Sequence, residues 1–457
     1  MKNILLIDFG STYTKLTAVD VDSEEILGTA QAFTTVATDI NEGLANALAR
    51  LEEKIGKREY ADSYACSSAA GGLRMVTSGL VPELTGEAAK LASLGAGAKV
   101  VGVYAFQLTE DDLEEINGLS PDIFLLVGGT DGGNTECILH NAKMIASMKP
   151  SFPIIIAGNR TAARECERIL GGCEIHVCPN VMPKFGTLNI EPTQKKIREI
   201  FLGRIIEAKG LSKASELLSD IMMPTPSAVL AAMELLAKGS GDELGIGDLI
   251  AVDVGGATTD IYSIADGMPE HMNTVYKGLP EPYAKRTVEG DIGMRYSVMG
   301  IIDACGIDKV SKLSGLGEDR INALLSELNS NKGLVPEQNT ELEALDFALA
   351  SLAIEEAVTR HAGTVYETYT MMGQTFVQEG KNLTKVKKIV VTGGSLIHTE
   401  RTKEIASHAL YSPTRPDSLR PKDAEILVDR KYILAAMGLL STYYPETALR
   451  IMKKELQ

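Results

Sequence analysis

Apolar runs with the length and composition of buried strands alternate along the chain with segments of helical periodicity. The first third carries strand-like runs at residues 4–8, 15–19 and 26–33, joined by connections that are short enough for an antiparallel meander. From about residue 120 the order becomes strand, glycine loop, helix, strand, with strands predicted at residues 122–127, 152–157 and 174–178. This order predicts parallel strands with right-handed crossovers.

The second half returns to the same kind of pattern. A helix predicted at residues 193–218 leads to an alanine-rich helix after Pro224, and a new apolar strand begins at Leu249. Residues 313–369 have the pattern of amphipathic helix, and a strand predicted at residues 388–391 precedes a glycine turn. A chain of 457 residues is too long for one small core, so we expect two or more domains.

Two stretches of the chain share one design, and the second begins 245 positions after the first. They read Asp8-Phe-Gly-Ser-Thr-Tyr-Thr-Lys15 and Asp253-Val-Gly-Gly-Ala-Thr-Thr-Asp260. Each has a buried strand, an aspartate, a glycine turn with hydroxyl side chains, and a β-branched run that returns beside the first strand. Such a hairpin exposes backbone N–H groups at its tip, and glycine lets an anion come close. Facing each other, the two loops would clamp a nucleoside triphosphate and its Mg²⁺.

Either hairpin alone favours a simple turn that requires a positive φ angle, whereas the pair in the same context favours phosphate binding. Asp8 and Asp253 are the predicted catalytic carboxylates, and they would hold Mg²⁺ through its water molecules. Asp253 could also orient the attacking water. The remaining predicted ligands of the phosphates in these hairpins are Gly10, Ser11, Thr12, Tyr13, Lys15, Gly255, Gly256, Thr258 and Thr259.

A third glycine turn, Gly393-Gly-Ser395, ends a strand and precedes a helix. Paired glycines there allow a flat base or ribose to lie against the backbone. Alone the turn would be ordinary strand-to-helix chemistry, but after two phosphate loops in this order it predicts an adenosine site formed by Gly393, Gly394 and Ser395.

Two further segments are open between function and structure. The loop Gly128-Gly-Thr-Asp-Gly-Gly133 ends a strand and opens a helix, so it is equally consistent with an anion site and with a tight turn. The segment Val288-Glu-Gly-Asp-Ile-Gly-Met-Arg295 follows the second hairpin, and we predict that Glu289 and Asp291 contact the cofactor. A capped helix start with solvated charges is the alternative.

Composition narrows the function further. The formal net charge of −16 argues against a nucleic-acid surface, which needs clustered Lys and Arg. No apolar run reaches the roughly 18–20 residues of a membrane span. None of the six cysteines forms a Cys-x-x-Cys pair, so we expect reduced thiols in a cytoplasmic protein.

The two hairpins and the later Gly393-Gly-Ser395 turn resemble, in order, the phosphate 1, phosphate 2 and adenosine motifs of the actin, sugar kinase and heat-shock chaperone ATPase superfamily. More closely, the whole chain resembles the MutL (GlmL) accessory proteins of glutamate mutase, which are unrelated to mismatch-repair MutL. Three segments carry this resemblance: residues 8–15, 128–133 and 287–295. That resemblance implies an α/β fold with two ribonuclease-H-like lobes. We place the first lobe at residues 1–223, with a βαβ insertion at about 120–180, and the second at residues 224–457, with a helical insertion at about 296–380.

The resemblance also implies an ATP-dependent reactivating chaperone that releases damaged cobalamin from an adenosylcobalamin-dependent mutase, with glutamate mutase subunits as the expected partner. Chaperone ATPases of the superfamily have a glutamate before the proline of the first connecting helix, whereas this chain has Thr225, and no equivalent of their active-site lysine is assigned. Both differences predict slow hydrolysis of ATP. A small-molecule kinase and a nucleotide-gated scaffold without significant hydrolysis are the alternatives.

Overall fold

The chain folds into two compact units in the computed structural model, which describes residues 2–10, 13–34, 40–68, 73–208, 220–270, 273–337, 340–371 and 373–456. The first unit consists of Met1–Ala232 with Gly278–Pro280 and Ala435–Ile451. The second consists of Met233–Lys277 with Glu281–Leu434 and Met452–Gln457.

The strands of the described residues are, in chain order, β1 (Asn3–Phe9), β2 (Tyr13–Asp20), β3 (Glu25–Phe33), β4 (Asp62–Ser67), β5 (Arg74–Gly79), β6 (Lys99–Ala105), β7 (Ile123–Leu126), β8 (Ile154–Ile156), β9 (Ile175–Val177), β10 (Asp220–Pro224), β11 (Gly239–Ser240), β12 (Glu243–Leu244), β13 (Leu249–Val254), β14 (Thr259–Ile264), β15 (Thr274–Lys277), β16 (Ala284–Glu289), β17 (Thr364–Thr370), β18 (Gly373–Glu379), β19 (Lys388–Thr392) and β20 (Glu425–Val428). The α-helices are α1 (Ile40–Ile55), α2 (Glu87–Gly95), α3 (Glu110–Leu119), α4 (Glu136–Met148), α5 (Ala163–Ile169), α6 (Glu191–Ala208), α7 (Thr225–Lys238), α8 (Val298–Cys305), α9 (Ile307–Ser314), α10 (Glu318–Ser330), α11 (Glu341–His361), α12 (Gly394–Ile397), α13 (Thr402–Ala406), α14 (Leu434–Leu440) and α15 (Pro445–Glu455).

The first sheet of the first unit has the strand order β10–β4–β1–β2–β3. Strands β1, β2 and β3 form the predicted antiparallel meander, and β4 runs parallel to β1 on its other side. Strand β1 is almost continuously apolar and buried, as expected of a central strand that is covered on both faces. Asp8 lies near the carboxyl end of β1, beside the end of β4.

The second sheet of this unit is wholly parallel and has the order β6–β5–β7–β8–β9. The three strands predicted within residues 122–178 belong to this sheet. The other two strands, β5 and β6, come earlier in the chain. The segment after β5 begins as a π-helical turn, Pro82–Gly86, and continues as α2. The side chain of Thr85 explains the irregular start, because its hydroxyl accepts hydrogen bonds from the backbone N–H groups of Leu80 and Val81.

The main sheet of the second unit repeats the first one. Its order is β16–β14–β13–β19–β20, with β13, β14 and β16 antiparallel and β19 and β20 parallel to β13. Both sheets therefore have the ribonuclease-H-like order, three antiparallel strands followed by two parallel ones on the other side of the first strand. Helix α11 crosses this unit with apolar residues on all sides, as a buried helix does. The predicted helical segment to residue 369 ends earlier, at His361, and β17 follows.

The second unit also has a small three-stranded sheet, β15–β18–β17, and a buried lysine follows its middle strand. Lys381 follows β18 and is 1% exposed. Its Nζ donates to the carbonyl oxygen of Tyr283 at 2.7 Å and lies 3.4 Å from the backbone oxygen and from Oγ of Ser263. Burial lowers the pKa of Lys381 to about 7.

Within the first unit, the beginning of α7 packs closely against α14. A Cβ atom added at Gly438 would lie 1.8 Å from the carbonyl oxygen of Ala228. Only glycine fits at this contact for steric reasons, since any side chain would push the two helix backbones apart.

We predict that Gly438→Ala lowers the free energy of unfolding by about 1–3 kcal/mol or more, because the added methyl group overlaps a backbone atom. Gly203→Ala is the matched control: Gly203 is exposed within α6, and a methyl group added there would meet no atom within 4 Å. That control should be stabilised by about 0.5–1 kcal/mol, because alanine favours helix. Chemical denaturation of both variants measures the difference, and equal stabilities would contradict the contact.

A second prediction concerns pH. Between about pH 7 and pH 10 an unfolded lysine keeps its proton, whereas buried Lys381 has released it, so the unfolded chain binds more protons. The free energy of unfolding therefore rises with pH across this window and falls as pH drops toward 7. In Lys381→Met the slope should be smaller by up to about 1.4 kcal/mol per pH unit. Urea unfolding between pH 7.5 and 9.5 measures it, with exposed Lys277→Met as the control that should keep the wild-type slope.

Candidate functional site in each unit

The first hairpin turns tightly at the carboxyl end of β1. The backbone N–H of Gly10 donates to the carbonyl oxygen of Tyr13 at 3.1 Å, and a Cβ atom on Gly10 would lie 2.6 Å from that oxygen. The turn thus needs glycine at this position. Ser11 and Thr12, both predicted phosphate ligands, lie outside the described residues.

Asp8 is almost buried, with 6% of its surface exposed. Its Oδ1 accepts a hydrogen bond of 2.6 Å from the hydroxyl of Thr225 and a weaker one of 3.5 Å from the thiol of Cys66. Its Oδ2 lies 3.7 Å from Nζ of Lys15. Burial, and then the charge of Asp8, raise the pKa of the Cys66 thiol well above its ordinary value, so the sulfur keeps its proton.

The second hairpin reproduces the first in backbone geometry. The N–H of Gly255 donates to the carbonyl oxygen of Thr258 at 2.9 Å, and a Cβ atom on Gly255 would lie 2.8 Å from that oxygen. Asp253, which occupies the position of Asp8 at the end of its strand, is half-buried. Gly256 is exposed at the tip of the loop.

The two threonines after the second turn point to different partners. The hydroxyl of Thr258 donates to Oδ2 of Asp260 at 3.3 Å. Thr259 is fully buried, and its hydroxyl donates to the carbonyl oxygen of Ile292 at 3.1 Å. The side chain of Thr259 therefore secures the loop, whereas the predicted contact of either hydroxyl with a phosphate stays a prediction.

The segment at residues 288–295 packs directly on the second hairpin. The N–H groups of Arg295 and Tyr296 both donate to the carbonyl oxygen of Gly256 at 2.8 Å, and that of Met294 donates to Gly255 at 3.0 Å. Gly293 makes this approach possible, because a Cβ atom there would lie 2.4 Å from the carbonyl carbon of Ala257. The structure thus brings together two motifs that the sequence could only place in order.

Glu289 and Asp291 contact an arginine from α11. Nη1 of Arg360 lies 3.0 Å from the carboxylate of Glu289 and 2.8 Å from that of Asp291, and its Nε donates to Glu356 at 3.0 Å. Their contact with a cofactor remains a prediction, and any such ligand would meet carboxylates already paired with a guanidinium group.

The predicted adenosine turn adjoins the second hairpin through Gly393. Its φ angle is 110°, and a Cβ atom would lie 2.4 Å from the carbonyl oxygen of Val254, so only glycine fits. Gly394 is exposed with open space beside it, and Ser395 is half-buried at the start of α12. The exposed backbone of this turn is compatible with a flat ligand.

The glycine loop at residues 128–133 is held by its own hydrogen bonds. The side-chain amide of Asn159 accepts from the N–H of Gly132 at 3.1 Å and donates to the carbonyl oxygens of Gly133 and Asn134. Asn180 Nδ2 donates to Asp131 Oδ1 at 3.0 Å. The backbone N–H groups of Asp131, Gly132 and Gly133 also donate to partners within the protein. This supports the tight-turn interpretation, because these are the donors that an anion would need.

Three contact residues were not found by sequence reasoning as parts of the sites: Cys66, Arg360 and Tyr296. Cys66 lies opposite Asp8 in the register of β1 with β4, which a strand alignment could have indicated. Arg360 is 69 positions from Asp291, and its sequence neighbourhood carries no signal. Tyr296 is 65% exposed beside Gly256.

In the part of the chain that the structure describes, no group of three or more His, Cys, Asp or Glu side chains is placed to hold a metal ion. None of its helices combines the length and apolarity that crossing a bilayer demands.

Two sheets of one ribonuclease-H-like order, each with a hairpin that follows a strand-end aspartate, define an α/β protein of the actin-like class. The sequence profile described as MutL protein matches residues 4–456. Protein MutL of Clostridium tetanomorphum is 47% identical over 460 residues, which cover 100% of this chain and 99% of the relative. The chain belongs to the MutL protein family.

Two solved structures align with nearly the whole of this chain. The activator of 2-hydroxyisocaproyl-CoA dehydratase from Clostridium difficile, with bound ADPNP, has a TM-score of 0.34 and 10% identity, over 99% of this chain and 97% of that chain. Gluconate kinase from Lactobacillus acidophilus has a TM-score of 0.36 and 11% identity, over 100% of this chain and 92% of that chain.

We predict that Gly293→Ala loosens the second hairpin, because the new methyl group would collide with the backbone of Ala257. The protein should lose about 1–3 kcal/mol of stability, and amide exchange should accelerate at residues 255–259. Gly333→Ala in the same unit is the control, since its methyl group would meet only a side-chain oxygen of Asn331 at 3.5 Å. Unchanged exchange in the hairpin of Gly293→Ala would contradict the contact.

Proposed function

We propose that the two hairpins bind the phosphates of ATP and that the protein uses ATP binding and slow hydrolysis to act on a partner enzyme. The proposal rests on one observation, which is that the two turns have the same backbone hydrogen bond at the same distance from an aspartate. In each, a glycine N–H closes onto a carbonyl oxygen three residues later, two residues after a strand-end aspartate. The same turn occurs on two sheets with the same strand order. This repetition favours a shared role in binding over two unrelated glycine turns.

The proposal assigns a role to each predicted residue. In the first unit, Gly10 to Tyr13 supply the phosphate loop, and Lys15 adds positive charge beside Asp8. In the second unit, the phosphate loop is residues 255–259, and the turn at residues 393–395 receives the adenosine. Glu289 and Asp291 complete the set near the second hairpin.

Magnesium fits the carboxylates that the hairpins provide. Mg²⁺ keeps several waters and is held by one or two carboxylates together with substrate phosphates, so it does not need a cluster of protein ligands. Asp8 and Asp253 each offer one carboxylate at a strand end. Bound there, Mg²⁺ would neutralise charge that develops on the phosphates, and Asp253 would orient the attacking water.

The partner follows from the family. The chain belongs to the MutL proteins, and its resemblance to the accessory proteins of glutamate mutase supports an adenosylcobalamin-dependent mutase as the client. We propose a reactivating chaperone that releases damaged cobalamin from this enzyme. The net charge of −16 is consistent with a protein partner and unfavourable for nucleic acid.

A nucleotide-gated scaffold with little hydrolysis is the second candidate, and one contact favours it. Thr225 stands where the chaperone ATPases have a glutamate, and its hydroxyl is bonded to Asp8. A threonine adds no carboxylate to the site, so fewer groups are left to orient a water molecule.

The decisive experiment incubates the purified protein and ATP with hydroxocobalamin-inactivated glutamate mutase. ATP hydrolysis and recovered mutase activity are measured in the same tube. We expect ATP-dependent recovery of mutase activity together with slow release of phosphate. Recovery with ATP that stays intact would establish the scaffold. Hydrolysis without recovery would exclude this client. A rise in ADP formation that depends on an added small molecule, which itself becomes phosphorylated, would establish a kinase.

The site assignment makes a separate prediction. Asp253→Asn should lower the hydrolysis rate at least about 10-fold, because the amide keeps the shape of the carboxylate and removes its charge. The exposed Asp266→Asn is the control in the same unit and should hydrolyse ATP at the wild-type rate. Phosphate release under saturating ATP and Mg²⁺ measures both, and normal hydrolysis by Asp253→Asn would remove Asp253 from the site.

A further inference from the structure

Asp8 is held by two hydrogen-bond donors that belong to different parts of the first unit. Thr225 opens α7 and is 217 positions away from Asp8 along the chain, whereas Cys66 lies opposite Asp8 on the parallel neighbour β4. Both donors reach the same oxygen, Oδ1, at 2.6 Å and 3.5 Å. The other oxygen, Oδ2, faces Lys15.

The direction of these bonds follows from the protons available. A threonine hydroxyl has one proton, and Thr225 Oγ1 lies 2.6 Å from Asp8 Oδ1 but 3.6 Å from the sulfur of Cys66. An O–H donated to a carboxylate at this distance is a strong, charge-assisted hydrogen bond, so the hydroxyl proton points to Asp8. The buried thiol keeps its own proton and donates it to the same oxygen.

We propose that Thr225 is a positioning residue for Asp8. By anchoring Oδ1, it fixes the rotation of the carboxylate, so that Oδ2 is the oxygen presented to the hydrated cation. The inference rests on the proposed function, because it gives Asp8 a role in binding Mg²⁺ with ATP. It assigns Thr225 a task distinct from that of a glutamate, which would contribute a second negative charge instead of orienting the first.

The position of Thr225 in the chain suits this task. Its side chain is β-branched, so its χ1 angle is restricted, which limits the directions open to the hydroxyl. Thr225 is half-buried, and Cys66 is completely buried. Water therefore has little access to the anchored side of the carboxylate, and a lost donor would not be replaced easily.

The test measures the Mg²⁺ dependence of ATP binding, not turnover. Binding of a fluorescent ATP analogue is titrated with Mg²⁺ in the full-length protein and in Thr225→Val, which keeps the shape and removes the donor. We expect the Mg²⁺ midpoint to rise about 10–100-fold, as is typical when a group that orients a metal ligand is lost. Thr225→Ser restores the hydroxyl and should return the midpoint to near the wild-type value.

Three controls separate positioning from general damage. Ser227→Ala alters the same helix beside Gly97, away from Asp8, and should leave the midpoint unchanged. Cys66→Ala removes the weaker donor and should shift the midpoint less than Thr225→Val does. Thermal unfolding of every variant shows whether it is folded.

The outcomes are distinct for the inference and for the function on which it rests. A folded Thr225→Val protein with the wild-type Mg²⁺ midpoint would overturn the positioning role, even if its melting temperature fell. If Thr225→Ser behaved like Thr225→Val, the hydroxyl would not be the active group, and the inference would also fail. Wild-type protein that binds no ATP, or an Asp8→Asn variant with unchanged Mg²⁺ dependence, would overturn the ATP–Mg²⁺ assignment itself.

Discussion

The turn that closes each hairpin is the constraint on which the rest of the structure depends. An N–H to carbonyl bond between Gly10 and Tyr13, and its counterpart between Gly255 and Thr258, reverse the chain within three residues. Only then can the second strand pair with the first in the register that leaves an aspartate at the strand end. A side chain on either glycine would meet the carbonyl oxygen within 2.8 Å, so residue size decides the turn.

Close backbone approach recurs wherever other segments reach these hairpins. Gly293 lets the segment before α8 lie on the loop of residues 255–258, and Gly393 lets the end of β19 lie against Val254. Gly438 does the same for the contact of α14 with α7. In each case a hydrogen atom in place of a methyl group allows two backbones to touch, which positions exposed N–H and C=O groups beside the hairpin or draws two helices together.

The electrostatics of the two hairpins differ although their backbones agree. Asp8 is 6% exposed and has a hydroxyl, a thiol and an ammonium group around it, whereas Asp253 is half-buried. A carboxylate surrounded by donors is held in one orientation, whereas part of the surface of Asp253 stays open to solvent. This asymmetry fits the different tasks proposed for the two carboxylates, Asp8 as an oriented ligand and Asp253 as the group that orients the attacking water.

The sequence by itself determined the strand meander, the parallel βαβ segment, and both hairpins with an aspartate two residues before a glycine, because strand periodicity and glycine turns are local properties of the chain. Only the tertiary structure decided which groups surround the carboxylates: Thr225 on Asp8, and Arg360 on Glu289 and Asp291. These pairs join residues that are tens to hundreds of positions apart. Strand register and helix packing set such contacts, and no local pattern encodes them.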